Sequence, residues 1–345
     1  MAEEKLSNHV DQSLLIKKVW ITGGIALTFL VFFLLFKTLF SVLLLALAGI
    51  LIAIYFHGSA NIIRRKLHLS NGWSLAIAIT FNVLLMVAFF WFTGARLQSQ
   101  VSQLSDTLPK TIRSAESKMD STAIGGKILD YMKSSGTTEK TMAVATKFFS
   151  SGFGILSDLY IVLLMAAFFT ATPSIYKKGF IKLLPPKAKE KGEALLNDIN
   201  GVLKNWLKGE IFGFFFIAVL TGVGLWIIGM PLVLTLAVMA GILNFIPNFG
   251  PLIALIPAGL LGLTISPATA LIVLGMYTFV QVIQSAVTQP LIQQKMLNIP
   301  PVLTIFAQVA MGLLAGFWGV LLAVPVVAII MTVVDKLYIE QQAHN

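Results

Sequence analysis

Apolar residues run through this chain in long blocks separated by short polar breaks, and the block lengths set the elements. Residues 19–36 and 38–56 are almost wholly apolar, with only Lys37 between them. As one helix they would reach about 57 Å against about 30 Å of bilayer hydrocarbon, so two spans with a tight turn at Lys37 are predicted. Further full spans are predicted over 73–95, 149–171, 209–228 and 267–287. Two other apolar stretches have awkward lengths. Residues 232–264 would make a helix of roughly 50 Å, too long for one span and too short for two. Their centre holds Asn244, Pro247, Asn248, Gly250 and Pro251. A broken helix pair that enters the membrane and returns fits this length, and its irregular backbone must then be covered by protein or by a water-filled cavity. Residues 302–334 repeat the theme around Gly316-Phe317-Trp318-Gly319.

The two broken segments align with an offset of 69 residues. Pro231 then meets Pro300, Val233-Leu234-Thr235 meets Val302-Leu303-Thr304, and Gly250 meets Gly319, each glycine following an aromatic residue. Leu252 and Ala254 meet Leu321 and Ala323. Shared composition explains the aliphatic matches but not the proline and aromatic-glycine ones. A repeat built on interrupted apolar segments points to the binding site of a secondary transporter. The fold class expected is an all-α polytopic membrane protein with six full transmembrane helices plus two inverted re-entrant helical hairpins. The corresponding divisions are N-terminal scaffold spans (1–95), an extracytoplasmic helical loop subdomain (96–148), a fourth span (149–171), a cytoplasmic amphipathic linker (172–208) and a transport unit of two inverted repeats (209–334).

Composition narrows the class. The chain is 57% hydrophobic and 12% charged, with mean hydropathy +0.86, outside the range of a soluble domain of this size. The net charge of +10 is a topology signal and not a nucleic-acid one, because the basic residues lie in loops. Most of the 25 Lys and Arg fall in 1–18, 57–72, 173–208, 289–301 and 335–345, which places those segments, and both termini, in the cytoplasm. The fifth span then runs outward and the sixth inward, so the two hairpins enter from opposite faces. There is no cysteine, which excludes disulfides and thiolate chemistry. A cleavable signal peptide is not expected, since one apolar run follows another at once.

Enzyme motifs are missing. There is no G-x-x-x-x-G-K-[ST], no H-E-x-x-H and no G-x-S-x-G, and the four histidines are scattered in polar segments. No catalytic residue, cofactor or metal site is therefore expected. What remains is polar chemistry at membrane depth. Asn244 and Asn248 mark the first hairpin turn; Gln281, Gln284 and Thr288 share one face of a helix, with Gln289 beside them; Gln308 lies in the second hairpin. Together with Pro247, Gly250, Pro251, Gly316 and Gly319 these are the candidate solute-binding or gating residues. Uncharged amides suit a small polar solute, although the same glutamines could equally glue neighbouring helices. Asp158 and Glu210 are the carboxylates available for ion coupling, and either could instead sit at the interface at little cost.

Asn244-x-x-Pro247-Asn248-x-Gly250-Pro251, Gln284-x-x-Val287-x-Gln289-Pro290, Pro300-Pro301 and Gly316-Phe317-Trp318-Gly319 with Ala323-x-Pro325 resemble the autoinducer-2 exporter (AI-2E) family of bacterial membrane proteins. The likeness is strong over 209–334 and loose over 96–148. It implies a multi-pass transporter of the bacterial inner (cytoplasmic) membrane that exports a small polar solute, such as the quorum-sensing signal autoinducer-2 or a related metabolite. Some members of the family are described as sodium/proton antiporters, so a sodium or proton partner is also implied, as is a homo-oligomer, with pentamers in the family. A membrane scaffold or passive pore is the remaining alternative.

Overall fold

The structure is a computed structural model that describes residues 2–88, 91, 152–247, 249–293 and 300–343. The loop expected at 96–148 lies outside the described residues. All regular structure among the described residues is helical. Helix α1 spans Ala2–Leu67, α2 Asn71–Ala88, α3 Gly152–Ala171 and α4 Pro173–Lys182. Helix α5 follows at Lys189–Ile228, then α6 Val233–Leu243, α7 Gly250–Ile265, α8 Pro267–Gln293, α9 Pro301–Val334 and α10 Glu340–Ala343. Among the described residues, five helices are long and apolar enough to cross a bilayer, or six if α3 and α4, bent by 87° at Thr172-Pro173, form one broken span.

The expected turn at Lys37 does not form. Helix α1 runs through it without a break. A lone lysine is a good helix former and breaks only the hydropathy pattern. No proline stands in α1, and the Thr38 and Ser41 hydroxyls donate back to the Leu34 and Lys37 carbonyls within regular helix. The apolar part, Trp20–Leu67, counts 48 residues, or about 72 Å. Its first half is exposed, with Trp20, Phe29 and Leu35 bare, while Leu44, Ala48 and Leu51 are buried. The pair of spans expected over 19–56 is thus one continuous helix.

Both interrupted segments fold back on themselves. Helix α5 ends at Gly229, whose left-handed φ of 76° lets Met230 N–H reach the Leu225 carbonyl. Helix α6 then leads into a reversal held by Ile246 N–H to Leu243 O and Gly250 N–H to Ile246 O. This answers the backbone hydrogen-bonding demand that an apolar surrounding makes. Helix α9 is interrupted at Gly316, with φ 61° and ψ −136°, a conformation reserved for glycine. Its arms double back. A Cβ on Gly319 would lie 1.9 Å from the Met311 carbonyl oxygen, whereas a straight helix separates residues eight apart by about 12 Å. Gly250 stands in the same position in the first hairpin, 1.9 Å in the same sense from the Leu243 carbonyl oxygen. The glycines matched across the repeat therefore do the same thing: they let two arms meet backbone to backbone.

Two buried cores organise the packing. One joins Leu44, Ala48 and Leu51 of α1, Val162 of α3, Leu203 and Trp206 of α5, and Met311, Leu322 and Val327 of α9. The other joins Ile217 and Leu225 of α5, Leu236 and Ala240 of α6, Ala254 and Ala258 of α7, and Val273 and Tyr277 of α8. Helix α5 contributes its first half to one core and its second half to the other.

Candidate functional site

The turn of the first hairpin gathers several of the predicted amides. Asn244, at the end of α6, is 5% exposed, and its Oδ1 accepts a hydrogen bond from Gln284 Nε2 of α8. Gln308, on the first arm of α9, is fully buried and donates from Nε2 to the Pro247 carbonyl at 2.8 Å. Both hairpins and α8 thus meet around residues 244–247. One group there is left over. Gln284 Oε1 is buried and has no hydrogen-bond partner among the described residues. A buried amide oxygen without a donor is costly, so the position suits a ligand group or water that donates to it.

Beside this cluster a groove of about 550 Å³ opens between α7 and α8, lined by Pro251 and Leu255 on one side and by Tyr277, Gln281 and Ser285 on the other. Gln281 faces this groove and does not join the Asn244–Gln284 pair. Tyr277 was not among the sequence candidates. It is 7% exposed, and its hydroxyl is buried without a partner among the described residues. The signal was present in the spacing, because 277, 281, 284 and 288 follow one helical face; tyrosine counts as apolar in a hydropathy reading and drops out of a polar stripe.

Other candidates lie elsewhere. Gly250, Gly316 and Gly319 act in the chain reversals described above. Thr288 and Gln289 belong to α8, with side chains outside the described part, and Asn248 lies outside the described residues. Asp158 of α3 accepts a hydrogen bond from Trp318 Nε1 at 2.9 Å, so it ties the second hairpin to α3. Glu210 of α5 is buried; the Trp206 indole N–H lies beside its carboxyl, short of standard hydrogen-bond geometry. Neither carboxylate hydrogen-bonds with the amide cluster among the described residues. No group of three or more His, Cys, Asp or Glu suited to a metal ion occurs among the described residues.

Several long apolar helices, packed around buried amides, define a multi-pass membrane protein. Residues 24–339 match the AI-2E family transporter, and the chain belongs to that family. Among curated relatives, YrrI, a candidate transport protein of Bacillus subtilis (strain 168), is 33% identical over 45% of this chain and 44% of its own length. YueF, a candidate transport protein of the same organism, is 28% identical over 54% of this chain and 51% of its own. A candidate transport protein of Mycobacterium tuberculosis, MT0215, is 36% identical over 34% of this chain and 32% of its own. The chain spans about half the length, or less, of these curated relatives.

Proposed function

We propose that this chain is a secondary transporter of a small polar solute in a bacterial cytoplasmic membrane, working by alternating access. The hairpin α6–α7 and the hairpin within α9 are re-entrant, enter from opposite faces, and gate opposite sides of one site. The observation that carries this reading is the meeting of both hairpins with α8 at buried, uncharged amides, one of which has an unsatisfied oxygen. Such a site recognises hydroxyl or amide hydrogens without needing charge. The likeness to candidate transport proteins and the family membership support transport. Export of an autoinducer-2-like signal, and a pentameric assembly, are what the family resemblance adds.

Flux measured in proteoliposomes with a metabolite mixture, with and without sodium and proton gradients, tests the reading. Saturable flux of a neutral polar solute, lost in Gln284→Ala, supports it. Non-saturating conductance would make the chain a pore. Burial of Glu210 favours a second reading, a cation/proton antiporter. Glu210→Gln and Asp158→Asn separate the two: an antiporter loses gradient coupling, whereas an exporter of a neutral solute keeps its flux. Asp158→Asn retains a side-chain oxygen for Trp318, so its effect reports charge and not the loss of that contact.

A further inference from the structure

A second cavity, remote from the amides in sequence, lies between the C-terminal part of α1 and α5. Its volume is about 540 Å³. Its polar lining includes Tyr55, Ser59, Asn61 and Arg65 of α1 and Lys204 and Lys208 of α5, and no acidic residue lines it among the described residues. The three cations are without a counter-ion: the ion pairs among the described residues are Lys177–Glu193, Lys336–Asp198 and Lys336–Glu340. Ile54 of α1 and Ile211 of α5 line it too, each displaced along its helix from the basic residues. From Ile54 to Arg65 the first wall climbs about 16 Å, and from Ile211 back to Lys204 the second climbs about 10 Å. Each wall thus goes from apolar to basic. Arg65 sits in the last turn of α1 with Arg64 and Lys66, where the apolar run ends and the membrane surface is expected.

A cavity that is cationic at the membrane surface and aliphatic at depth has the charge and polarity profile of an anionic phospholipid. We propose that it binds one, with Arg65, Lys204 and Lys208 around the phosphate, Ser59 and Asn61 on headgroup hydroxyls, and an acyl chain along Ile54 and Ile211. Arginine meets phosphate oxygens with two parallel N–H donors, and basic pockets between membrane helices at the cytoplasmic side take lipid headgroups. A lipid seated there bridges α1 to α5, the helix shared by both cores. The proposal does not depend on the transport reading.

Native mass spectrometry of the purified full-length chain, offered phosphatidylglycerol or phosphatidylcholine, tests it. The wild type should retain phosphatidylglycerol in preference to phosphatidylcholine. The variant Arg65→Gln/Lys204→Gln/Lys208→Gln should bind phosphatidylglycerol roughly a hundredfold more weakly. Lys204→Arg/Lys208→Arg should keep binding, and Lys178→Gln/Lys182→Gln on α4, outside the cavity, should change nothing. Equal retention of the two lipids, or undiminished phosphatidylglycerol binding by the triple variant, overturns the proposal. Displacement of the lipid by millimolar inorganic phosphate also overturns it, because the cavity would then be a free-phosphate site. Should the triple variant fail to fold, Lys208→Gln alone should weaken phosphatidylglycerol retention, and undiminished retention by that variant overturns the proposal equally.

Discussion

Gln284 reaches from α8 to the first hairpin turn, where its amide N–H₂ finds Asn244 and its oxygen finds no partner among the described residues. Asn244→Leu would leave that N–H₂ unpaired in a buried place. The expected cost is about 1–3 kcal/mol, read as a lower thermal midpoint in detergent, together with a loss of solute flux. The double variant Asn244→Ala/Gln284→Ala should cost less than the sum of its singles, since no orphaned partner remains. Tyr277→Phe separates structure from binding. The hydroxyl has no partner among the described residues, so its removal should leave the thermal midpoint unchanged or raised. If the groove holds the solute, the same change should raise the half-saturating solute concentration by about tenfold, the equivalent of ~1.4 kcal/mol. Unchanged saturation would take Tyr277 out of the site.

At the scale of elements, the two hairpins stand on glycines that admit no side chain. Gly319→Ala and Gly250→Ala each drive a methyl group into a backbone carbonyl oxygen of the opposite arm, so the backbone itself must move. Both should sharply lower the yield and thermal midpoint of folded protein, whereas Gly259→Ala, with nothing within 4 Å, should be neutral. The glycine and proline repeat made these reversals legible in the sequence, because Pro and Gly act on the backbone directly and their spacing survives folding. Lys37 was misleading for the opposite reason: it interrupts hydropathy without interrupting a helix. A proline in its place would be a true break. Lys37→Pro should destabilise α1 by ~3 kcal/mol, measured as loss of helical signal and thermal stability; a neutral effect would contradict a continuous helix there. The pairing of Asn244 with Gln284 and of Gln308 with Pro247 spans 40 and 61 residues, and no local pattern encodes such partners. Hydropathy and periodicity mark these residues as polar positions within apolar segments but cannot join them.

Across the whole molecule, α5 links two cores, one holding the second hairpin with α1 and α3, the other holding the first hairpin with α8. Under the proposed alternating access, movement of one hairpin against the other would have to pass through the Gln308–Pro247 contact, while Asp158 and Trp318 hold the second hairpin to α3. The absence of cysteine from the chain makes single-cysteine variants clean reporters. Phe249, at the first turn, and Phe317, next to the Gly316 break, mark the two tips. The most direct measurement is the labelling of Phe249→Cys and Phe317→Cys by a membrane-impermeant maleimide applied to either side of sealed vesicles. Opposed hairpin gates predict that the two positions label from opposite sides and that added solute changes their reactivity in opposite directions. Labelling of both from the same side, unaltered by solute, would contradict the account.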